Sequence, residues 1–242
     1  MLSEGRVDVT AALAPHRDRQ GTARARQAVL ASRDRFWQPS DLQLGPSTVH
    51  HLLGDLKDRG ELRRIRRGLY WRGTKTPLGM APPSPERLVE ALTPSAGVGP
   101  AGLSAANALR LSTQIPRRSQ IAVPDRAPSD AGTVMFVSRA ARTGRAATRL
   151  TPTEVAMLEV LDDWPTLVEV EPAQATRQLT ELLRSGTVRA ERLADAATTE
   201  PGQTRVRLRA LLTAAGRSDL AERVPAADRR TESAALATLA FL

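Results

Sequence analysis

Five arginines and a single acidic residue lie within GELRRIRRGLYWRG, the fourteen residues from Gly60 to Gly73. A guanidinium group stays charged at physiological pH, and its planar fork of N–H donors matches the oxygen atoms of a phosphate. These arginines are therefore suited to binding phosphate groups rather than to acid–base or nucleophilic catalysis. The candidate phosphate-binding side chains are Arg63, Arg64, Arg66, Arg67 and Arg72.

A second group of polar side chains precedes these arginines in PSTVHHLLGDLKDRG, residues 46–60. The apolar residues of this segment have the spacing i, i+3, i+4 and i+7, which predicts a helix with one buried face. The polar residues near the start of that helix lie off the apolar face and are free to contact the edges of bases in a groove. These candidates are Ser47, Thr48, His50 and His51, with Lys57 placed nearer a phosphate backbone.

The adjacent histidines also raise the question of a metal site. Neighbouring residues on a helix point about 100° apart, so His50 and His51 cannot easily bind one ion together. The sequence therefore predicts no metal site and no cofactor, and gives the two histidines a polar role facing a groove.

Two further helices are predicted before this segment. Apolar and small residues of TARARQAVLASRDRF fall on one face of a helix, which predicts a first helix over Thr22–Phe36. Pro39 and Ser40 can open a second helix of about one turn. Gly45 then provides a turn, and Pro46 suits the first position of the third helix because its missing N–H would be unpaired there.

The arginine-rich stretch itself predicts a β-hairpin after the third helix. Gly60 can cap that helix, and strand-forming residues lie on both sides of a turn at Arg66, Arg67 and Gly68. Tyr70 and Trp71 would either stack on a ligand or, as aromatic residues at the base of a hairpin more often do, belong to the core. Three helices followed by a basic hairpin are the layout of a winged helix-turn-helix, with the hairpin as the wing.

The net charge is concentrated in the same part of the chain. The 242 residues contain 35 basic and 26 acidic side chains, a net charge of +9. Residues 1–75 hold 15 basic and 8 acidic side chains, a net charge of +7, which leaves +2 for residues 76–242. A one-sided positive field of this kind is typical of nucleic-acid binding. The charge alone does not separate that function from an arginine-rich surface shaped by a GC-rich genome.

Composition also excludes several classes of site. The absence of cysteine excludes disulfides, thiolate nucleophiles and zinc sites with cysteine ligands. All three histidines precede residue 52, so residues 76–242 lack a histidine base, and we predict that the protein is not an enzyme. No apolar run reaches the roughly 18 residues of a membrane span, and the N-terminus lacks the layout of a secretory signal. We therefore predict a cytoplasmic protein that does not bind membranes.

Three features of the second half could suggest a site. Asp162 and Asp163 form a pair of acids, but adjacent residues at a helix end point apart, and we expect them to cap the helix or to be solvated. The glycines of Ala96–Gly102 match no nucleotide-binding spacing and predict a turn and a helix start. A basic run could face DNA or a partner, although a solvated loop is the simpler expectation. This run comprises Arg139, Arg142, Arg145 and Arg149.

The whole chain is predicted to be α+β and mainly helical. We divide it into a tail over residues 1–20, a winged helix over 21–75, a linker over 76–85 and a larger domain over 86–242. The linker is rich in proline, glycine and small residues. The larger domain has two predicted strands, Ser119–Val123 and Thr133–Val137, and several helices, including two that start at Thr151 and Glu171.

Residues 22–185 together resemble the antitoxins of the abortive-infection E class (AbiEi). The resemblance rests on GPSTVHHLLGDLKDRGELRRI and RRGLYWRG, followed by GLSAANALRLST, RRSQIAVPD, TVMFVSR and LTPTEVAMLEVLDDW. It implies an N-terminal winged helix that represses its own operon and a C-terminal domain that neutralises a nucleotidyltransferase-like toxin. The DNA-binding module of the family matches this chain at the arginine-rich hairpin and at Ser47–His51. No residue of the C-terminal part matches a functional motif of the family.

Three functional classes follow. The leading expectation is a DNA-binding antitoxin and autorepressor whose partners are operator DNA of its own promoter, expected to contain inverted repeats, and a cognate toxin. The alternative is a winged-helix transcriptional regulator whose C-terminal domain senses a ligand or dimerises. A nucleic-acid-modifying enzyme is disfavoured by the missing catalytic residues. The sequence leaves open whether the protein is a monomer or a dimer, and how the toxin would be silenced.

Overall fold

The computed structural model describes residues 14–93 and 96–240. Within these residues the chain has the predicted α+β fold, which is mainly helical, with twelve α-helices and three small sheets. The chain divides into two units between Ser84 and Pro85. This division falls inside the segment 76–85 that we expected to link two domains.

The N-terminal unit combines helices with an antiparallel sheet. The strand order is β1-β3-β2, so β3 is central and β2 is an edge strand. A smaller hairpin, β4–β5, follows it. The elements are α1 (Ala14–Ala31), β1 (Arg35–Trp37), a 3-10 turn (Pro39–Asp41), α2 (Pro46–Asp58), β2 (Arg63–Arg66), β3 (Leu69–Arg72), β4 (Lys75–Thr76) and β5 (Gly79–Met80).

The first helix differs from its predicted bounds at both ends. It begins at Ala14, inside the segment 1–20 that we expected to be a tail, while residues 1–13 lie outside the described part of the chain. It ends at Ala31, so Phe36 is not on a helix face. Asp34 has a φ of 49°, which breaks the helix, and Phe36 then pairs with Trp71 in the sheet. The helical prediction failed there because a three-residue strand exists only through its partner.

The core of the N-terminal unit is built on α2. The residues of its predicted apolar face are all buried, and each such side chain stabilises the fold by about 1.5–3 kcal/mol. They pack with residues from α1, β1 and β3, which ties the helices to the sheet. The buried cluster contains Val29, Trp37, Leu42, Val49, Leu52, Leu53, Leu56, Leu62 and Tyr70.

The segment predicted as a linker without regular structure contains the β4–β5 hairpin. Met80 is buried, and the indole Nε1 of Trp71 donates a hydrogen bond of 3.0 Å to the carbonyl oxygen of Ala81. These contacts satisfy a buried polar group that would otherwise be costly. The segment up to Ala81 is therefore part of the N-terminal unit.

The C-terminal unit surrounds a mixed sheet with helices. The strand order is β6-β7-β8, with β6–β7 antiparallel and β7–β8 parallel. The strands β7 and β8 match their predicted positions within one residue, whereas the turn and helix start predicted at Ala96–Gly102 also contain a short strand, Gly99–Pro100. The elements are α3 (Pro85–Leu92), β6 (Gly99–Pro100), α4 (Gly102–Ala108), β7 (Ser119–Val123), β8 (Val134–Ser138), α5 (Gly144–Ala147), α6 (Pro152–Asp162), α7 (Trp164–Leu167), α8 (Pro172–Arg184), α9 (Ala190–Ala196), a 3-10 turn (Ala197–Thr199), α10 (Gly202–Ala214), α11 (Ser218–Arg223) and α12 (Arg229–Leu236).

Helix α6 is the centre of this unit, because every residue from 154 to 161 is buried. Its start has the expected capping box, in which Thr151 accepts from the backbone N–H of Glu154 and the Glu154 carboxylate accepts from the backbone N–H of Thr151. Glu154 also binds the guanidinium group of Arg189 at 2.7 Å. The cap and this ion pair satisfy a buried carboxylate at the end of the central helix.

Among the residues that the structure describes, no helix has the length and apolar character needed to span a membrane.

Candidate nucleic-acid interface

The candidate base-contacting residues lie on α2, on the side away from the buried face. At 100° per residue, the direction opposite to the buried face points between Ser47 and His51. Ser47, His50 and His51 are exposed, whereas Thr48 lies at the border of the buried face and is half-buried. Ser47 and His51 are therefore the residues best placed to face a groove.

The two histidines do not form a metal site. Their ring centroids are 6.1 Å apart and the ring planes are nearly perpendicular, at 86°. In the described part of the chain, no group of three histidine or carboxylate side chains could hold a metal ion. Exposed imidazoles in this position offer hydrogen bonds to polar groups instead.

The arginine-rich hairpin is formed by β2 and β3. Its turn is Arg67–Gly68, where Gly68 has a φ of 74° that suits glycine. We expected Arg66 to lie in the turn, but it lies in β2. It pairs there with Leu69, after a shift of register at Ile65. The four arginines of the edge strand and the turn are exposed: Arg63, Arg64, Arg66 and Arg67.

Three of these arginines have no counter-charge. Among the described residues, Arg64, Arg66 and Arg67 make no ion pair and no hydrogen bond to another side chain or carbonyl group. Arg63 donates one long hydrogen bond of 3.4 Å to the carbonyl oxygen of Met80. Charged side chains on an edge strand also prevent it from pairing with other chains. Lysine or glutamate would serve that purpose as well, so it does not explain why these residues are arginines.

Arg72 does not fit the interface that the sequence predicted. Its side chain is only 14% exposed and lies 3.5 Å from a carboxylate oxygen of Glu61. It also donates a hydrogen bond of 3.4 Å to the carbonyl oxygen of Leu30. Arg72 lies on the central strand β3, so its side chain ties the sheet to α1 and is not available to a ligand.

Two acidic residues of α2, Asp55 and Asp58, bind cations outside the hairpin. Asp55 binds Arg26 at 2.5 Å and Arg59 at 2.8 Å, and the hydrogen bond from Arg26 is the main cause that lowers the pKa of Asp55. Lys57, our candidate backbone contact, is exposed but lies 2.7 Å from Asp58.

Glu61 completes this pattern, because Lys75 donates to it at 2.7 Å and is the main cause that lowers its pKa. Glu61 is the acidic residue at the start of the arginine-rich stretch, yet it binds Arg72 and Lys75 rather than the arginines of β2. Among the described residues, the positive charges of Arg64, Arg66 and Arg67 are therefore left without an acidic partner.

The aromatic pair at the base of the hairpin belongs to the core. Tyr70 is 9% exposed and Trp71 is 3% exposed. The ring of Trp71 packs against that of Phe36, with centroids 4.7 Å apart and a tilt of 52°. Neither aromatic side chain is available to stack on a base or a sugar, so the interpretation as core residues is the correct one.

Sequence reasoning did not single out Arg35. It is exposed on β1, the other edge of the sheet, and its guanidinium carbon lies 4.2 Å from the centroid of the Trp37 ring. Such a cation–π contact holds the guanidinium group in one direction. The two adjacent aromatic residues after Arg35, Phe36 and Trp37, were the signal that could have shown this strand, because aromatic residues favour strands.

The basic run of the C-terminal unit is not a solvated loop. Arg145 is fully buried, and its guanidinium group binds Glu159 and Glu200 at 2.6 Å each. Arg139 binds the same Glu159 at 2.7 Å. Arg149, by contrast, is exposed. The loop carries these arginines inward because two carboxylates from distant segments are buried there and require partners.

The two acids of the predicted pair also differ from each other in burial and partners. Asp162 binds Arg142 at 2.5 Å and also accepts a hydrogen bond from Gln203, while Asp163 is exposed at the end of α6. Asp162 is therefore neither a helix cap nor solvated. We name the six residues that share these contacts the buried ion cluster: Arg139, Arg142, Arg145, Glu159, Asp162 and Glu200.

The charges of this cluster stabilise one another. Burial acts to raise the pKa of Glu159, but the hydrogen bond from Arg139 and the charge of Arg145 outweigh it, and the pKa is lowered. Burial likewise acts to lower the pKa of Arg145, while Glu200 and Glu159 raise it. Glu159 thus stays ionised beside its partners, which suits a structural role rather than proton transfer.

The C-terminal unit also contains two open cavities. One has a volume of about 640 Å³ and is lined mainly by apolar residues of α3, α4 and β7, among them Val89, Ala108 and Ile121. The other, of about 1050 Å³, lies along α8, α10 and α12 and carries charged residues such as Arg177 and Glu181 at its rim. The first is the more suitable for an apolar small molecule.

Comparisons with known proteins identify no family for this chain. No family model matches it, and no curated protein sequence matches it significantly. Among solved structures, the crystal structure of the Rv2827c protein from Mycobacterium tuberculosis is similar to it, with a TM-score of 0.45 and 17% sequence identity. That match covers 92% of this chain and 83% of the other chain. A similarity of this size carries no argument about function.

Proposed function

We propose that this protein binds double-stranded DNA through its N-terminal unit. The observation that carries the proposal is the row of exposed arginines on β2 and its turn, of which Arg64, Arg66 and Arg67 have no counter-charge in the described part of the chain. Arg64 and Arg66 lie on the edge strand and Arg67 lies in the turn, and a bound polyanion would neutralise these three neighbouring like charges.

In this proposal the two surfaces of the unit have separate tasks. The major groove of DNA is about 12 Å wide and admits an α-helix, so α2 enters it with the exposed side that carries Ser47 and His51. The hairpin arginines contact phosphates or enter the minor groove, whose negative potential favours arginine. Phosphate contacts supply most of the affinity, while the side chains of α2 supply the sequence preference.

Fluorescence anisotropy with the full chain tests this proposal. A labelled duplex from the region upstream of the gene is compared with an unrelated duplex of equal length, each at several salt concentrations. We expect tighter binding to the upstream duplex and a steep loss of affinity with salt for both. If neither duplex binds at 50 mM salt, DNA binding by this unit is ruled out.

We further propose that the protein is an antitoxin that acts in the cytoplasm, represses its own operon and neutralises a nucleotidyltransferase-like toxin through the C-terminal unit. The sequence resemblance over residues 22–185 supports this half of the proposal. Expression of the adjacent gene should stop growth, and co-expression of the full chain should restore it. A neighbour that is harmless alone, or toxic and not rescued, contradicts the proposal.

A variant separates neutralisation from DNA binding in the same experiment. Replacing Arg64, Arg66 and Arg67 by alanine leaves the C-terminal unit unchanged. We expect this variant to restore growth when it is expressed from an unrelated promoter, although it no longer represses its own. If the variant folds but does not restore growth, at least part of the toxin-binding surface lies in the N-terminal unit.

The cavity of about 640 Å³ supports a second candidate, a winged-helix regulator whose C-terminal unit senses a small apolar ligand. A ligand that fills this cavity should raise the melting temperature of the full chain and alter its affinity for DNA. Replacing Ala108 at the cavity wall by leucine should abolish both effects. A harmless neighbouring gene together with a ligand of this kind would favour this candidate over the antitoxin.

A further inference from the structure

Gly54 lies on the side of α2 that faces away from the buried core, and it is half-buried. At 100° per residue it lies about 30° from the direction opposite to the buried face, one turn beyond His51 and on the same side as Ser47. The residues before and after it on this side carry side chains, so Gly54 leaves a gap in the surface directly beside His51 and two turns from Ser47.

The fold of the unit gives no reason for a glycine at this position. The backbone of Gly54 is helical, and φ is not positive. A Cβ atom added to Gly54 would meet no atom within 4 Å apart from its chain neighbours and the backbone of its own helix. Gly73, by contrast, could not carry a Cβ atom without a clash at 2.3 Å with the indole of Trp71.

Glycine in a helix interior is also less favourable than alanine, because it loses more backbone freedom on folding. Neither backbone conformation nor packing compensates for this at Gly54. A glycine that the free protein does not need is explained if another molecule must approach the helix backbone there.

We propose that Gly54 is the point of closest approach between α2 and DNA, where the edge of a base pair packs directly on the helix backbone. This inference rests on the proposed binding of DNA by the N-terminal unit. It assigns Gly54 a positioning role: the missing side chain sets the depth of the helix in the groove, and that depth determines whether Ser47 and His51 reach the bases.

The substitution Gly54→Ala gives opposite effects on stability and binding, which a merely structural role cannot produce. We expect the melting temperature of the N-terminal transition to rise by about 4 °C, since alanine is the better helix former. We also expect affinity for the specific duplex to fall about tenfold, and Gly54→Leu to lower it further. Both are measured on the full chain, by calorimetry and by fluorescence anisotropy.

Ala28→Leu is the matched control for Gly54→Leu. Ala28 is exposed on α1, and the change places the same leucine side chain on a different helix. Its affinity for DNA should equal that of the wild type. If the wild type binds DNA and Gly54→Ala binds it equally well, the close approach at Gly54 is refuted while DNA binding stands. If the wild type binds no DNA, the proposed function fails instead.

Discussion

Replacing Arg64, Arg66 and Arg67 together by alanine should reduce the salt dependence of DNA binding by a predictable amount. A protein that contacts phosphates releases counterions, and each contact contributes about 0.9 to the slope of log affinity against log salt. These three side chains are exposed and unpaired among the described residues, so each is free to make one contact. The triple variant should therefore have a slope smaller by about 2.7.

This difference is large enough to measure. Between 50 and 200 mM salt the concentration rises fourfold, so a slope smaller by about 2.7 corresponds to about 40-fold less weakening across that range. Fluorescence anisotropy of the full chain with specific and unrelated duplexes gives both slopes. Because phosphate contacts do not depend on base sequence, the reduction should be equal for the two duplexes.

Arg59→Ala is the matched control for this experiment. Arg59 is also an exposed arginine of the N-terminal unit, with 65% of its side chain accessible, but it is bound to Asp55 at 2.8 Å. Its guanidinium group is held by Asp55 and is not free to contact a phosphate, so the slope should hardly change. An unchanged slope in the triple variant, or an equal effect per arginine in Arg59→Ala, would refute the assignment of the hairpin as the phosphate-binding element.

Three further predictions concern other parts of the molecule. His51→Ala should lower the ratio of specific to unspecific affinity about tenfold and leave the salt slope unchanged, as measured by competition between duplexes. Arg145→Ala should destabilise the C-terminal unit by about 3–5 kcal/mol in urea titrations, because it leaves Glu200 buried without its main partner and removes one partner of Glu159; a loss below about 1 kcal/mol would contradict the structural role. Stability should also fall in acid: the pKa values of Glu154 and Glu159 are lowered from 4.5 in the folded state, so their contribution is complete above about pH 4.5 and is lost as the pH falls through the folded values. Melting temperatures that stay constant from pH 7 to pH 3 would show that these carboxylates do not contribute.

The parts of the fold that sequence predicts best are those in which the signal is local. The apolar spacing around Leu52 and Leu53 defines the buried face of α2, because a helix of 3.6 residues per turn translates that spacing directly into one face. The capping box at Thr151 is similarly local, since both of its hydrogen bonds span three residues. The candidate interface is predicted for the same reason, because it consists of one helix and the hairpin that follows it.

The parts that sequence did not predict depend on distant partners. The strand at Phe36 exists because it pairs with Trp71, 35 residues further along the chain. Arg145 is buried because Glu200, 55 residues away in sequence, accepts its hydrogen bonds. A run of arginines looks the same in sequence whether it is solvated or turned inward, so only the location of its carboxylate partners could distinguish the two. Arg72, which the sequence placed in the interface, is likewise turned inward by its partners Glu61 and Leu30.

The buried ion cluster has a consequence for how the chain is made. Its three arginines and Glu159 and Asp162 are all synthesised before Glu200, the last of its three carboxylates. A nascent chain that ends before Glu200 holds three guanidinium groups against two carboxylates, an unbalanced charge that opposes closure of the interior around α6. The C-terminal unit therefore completes its fold late in translation, after residue 200 has left the ribosome. We expect a product that terminates before that point to leave its interior open.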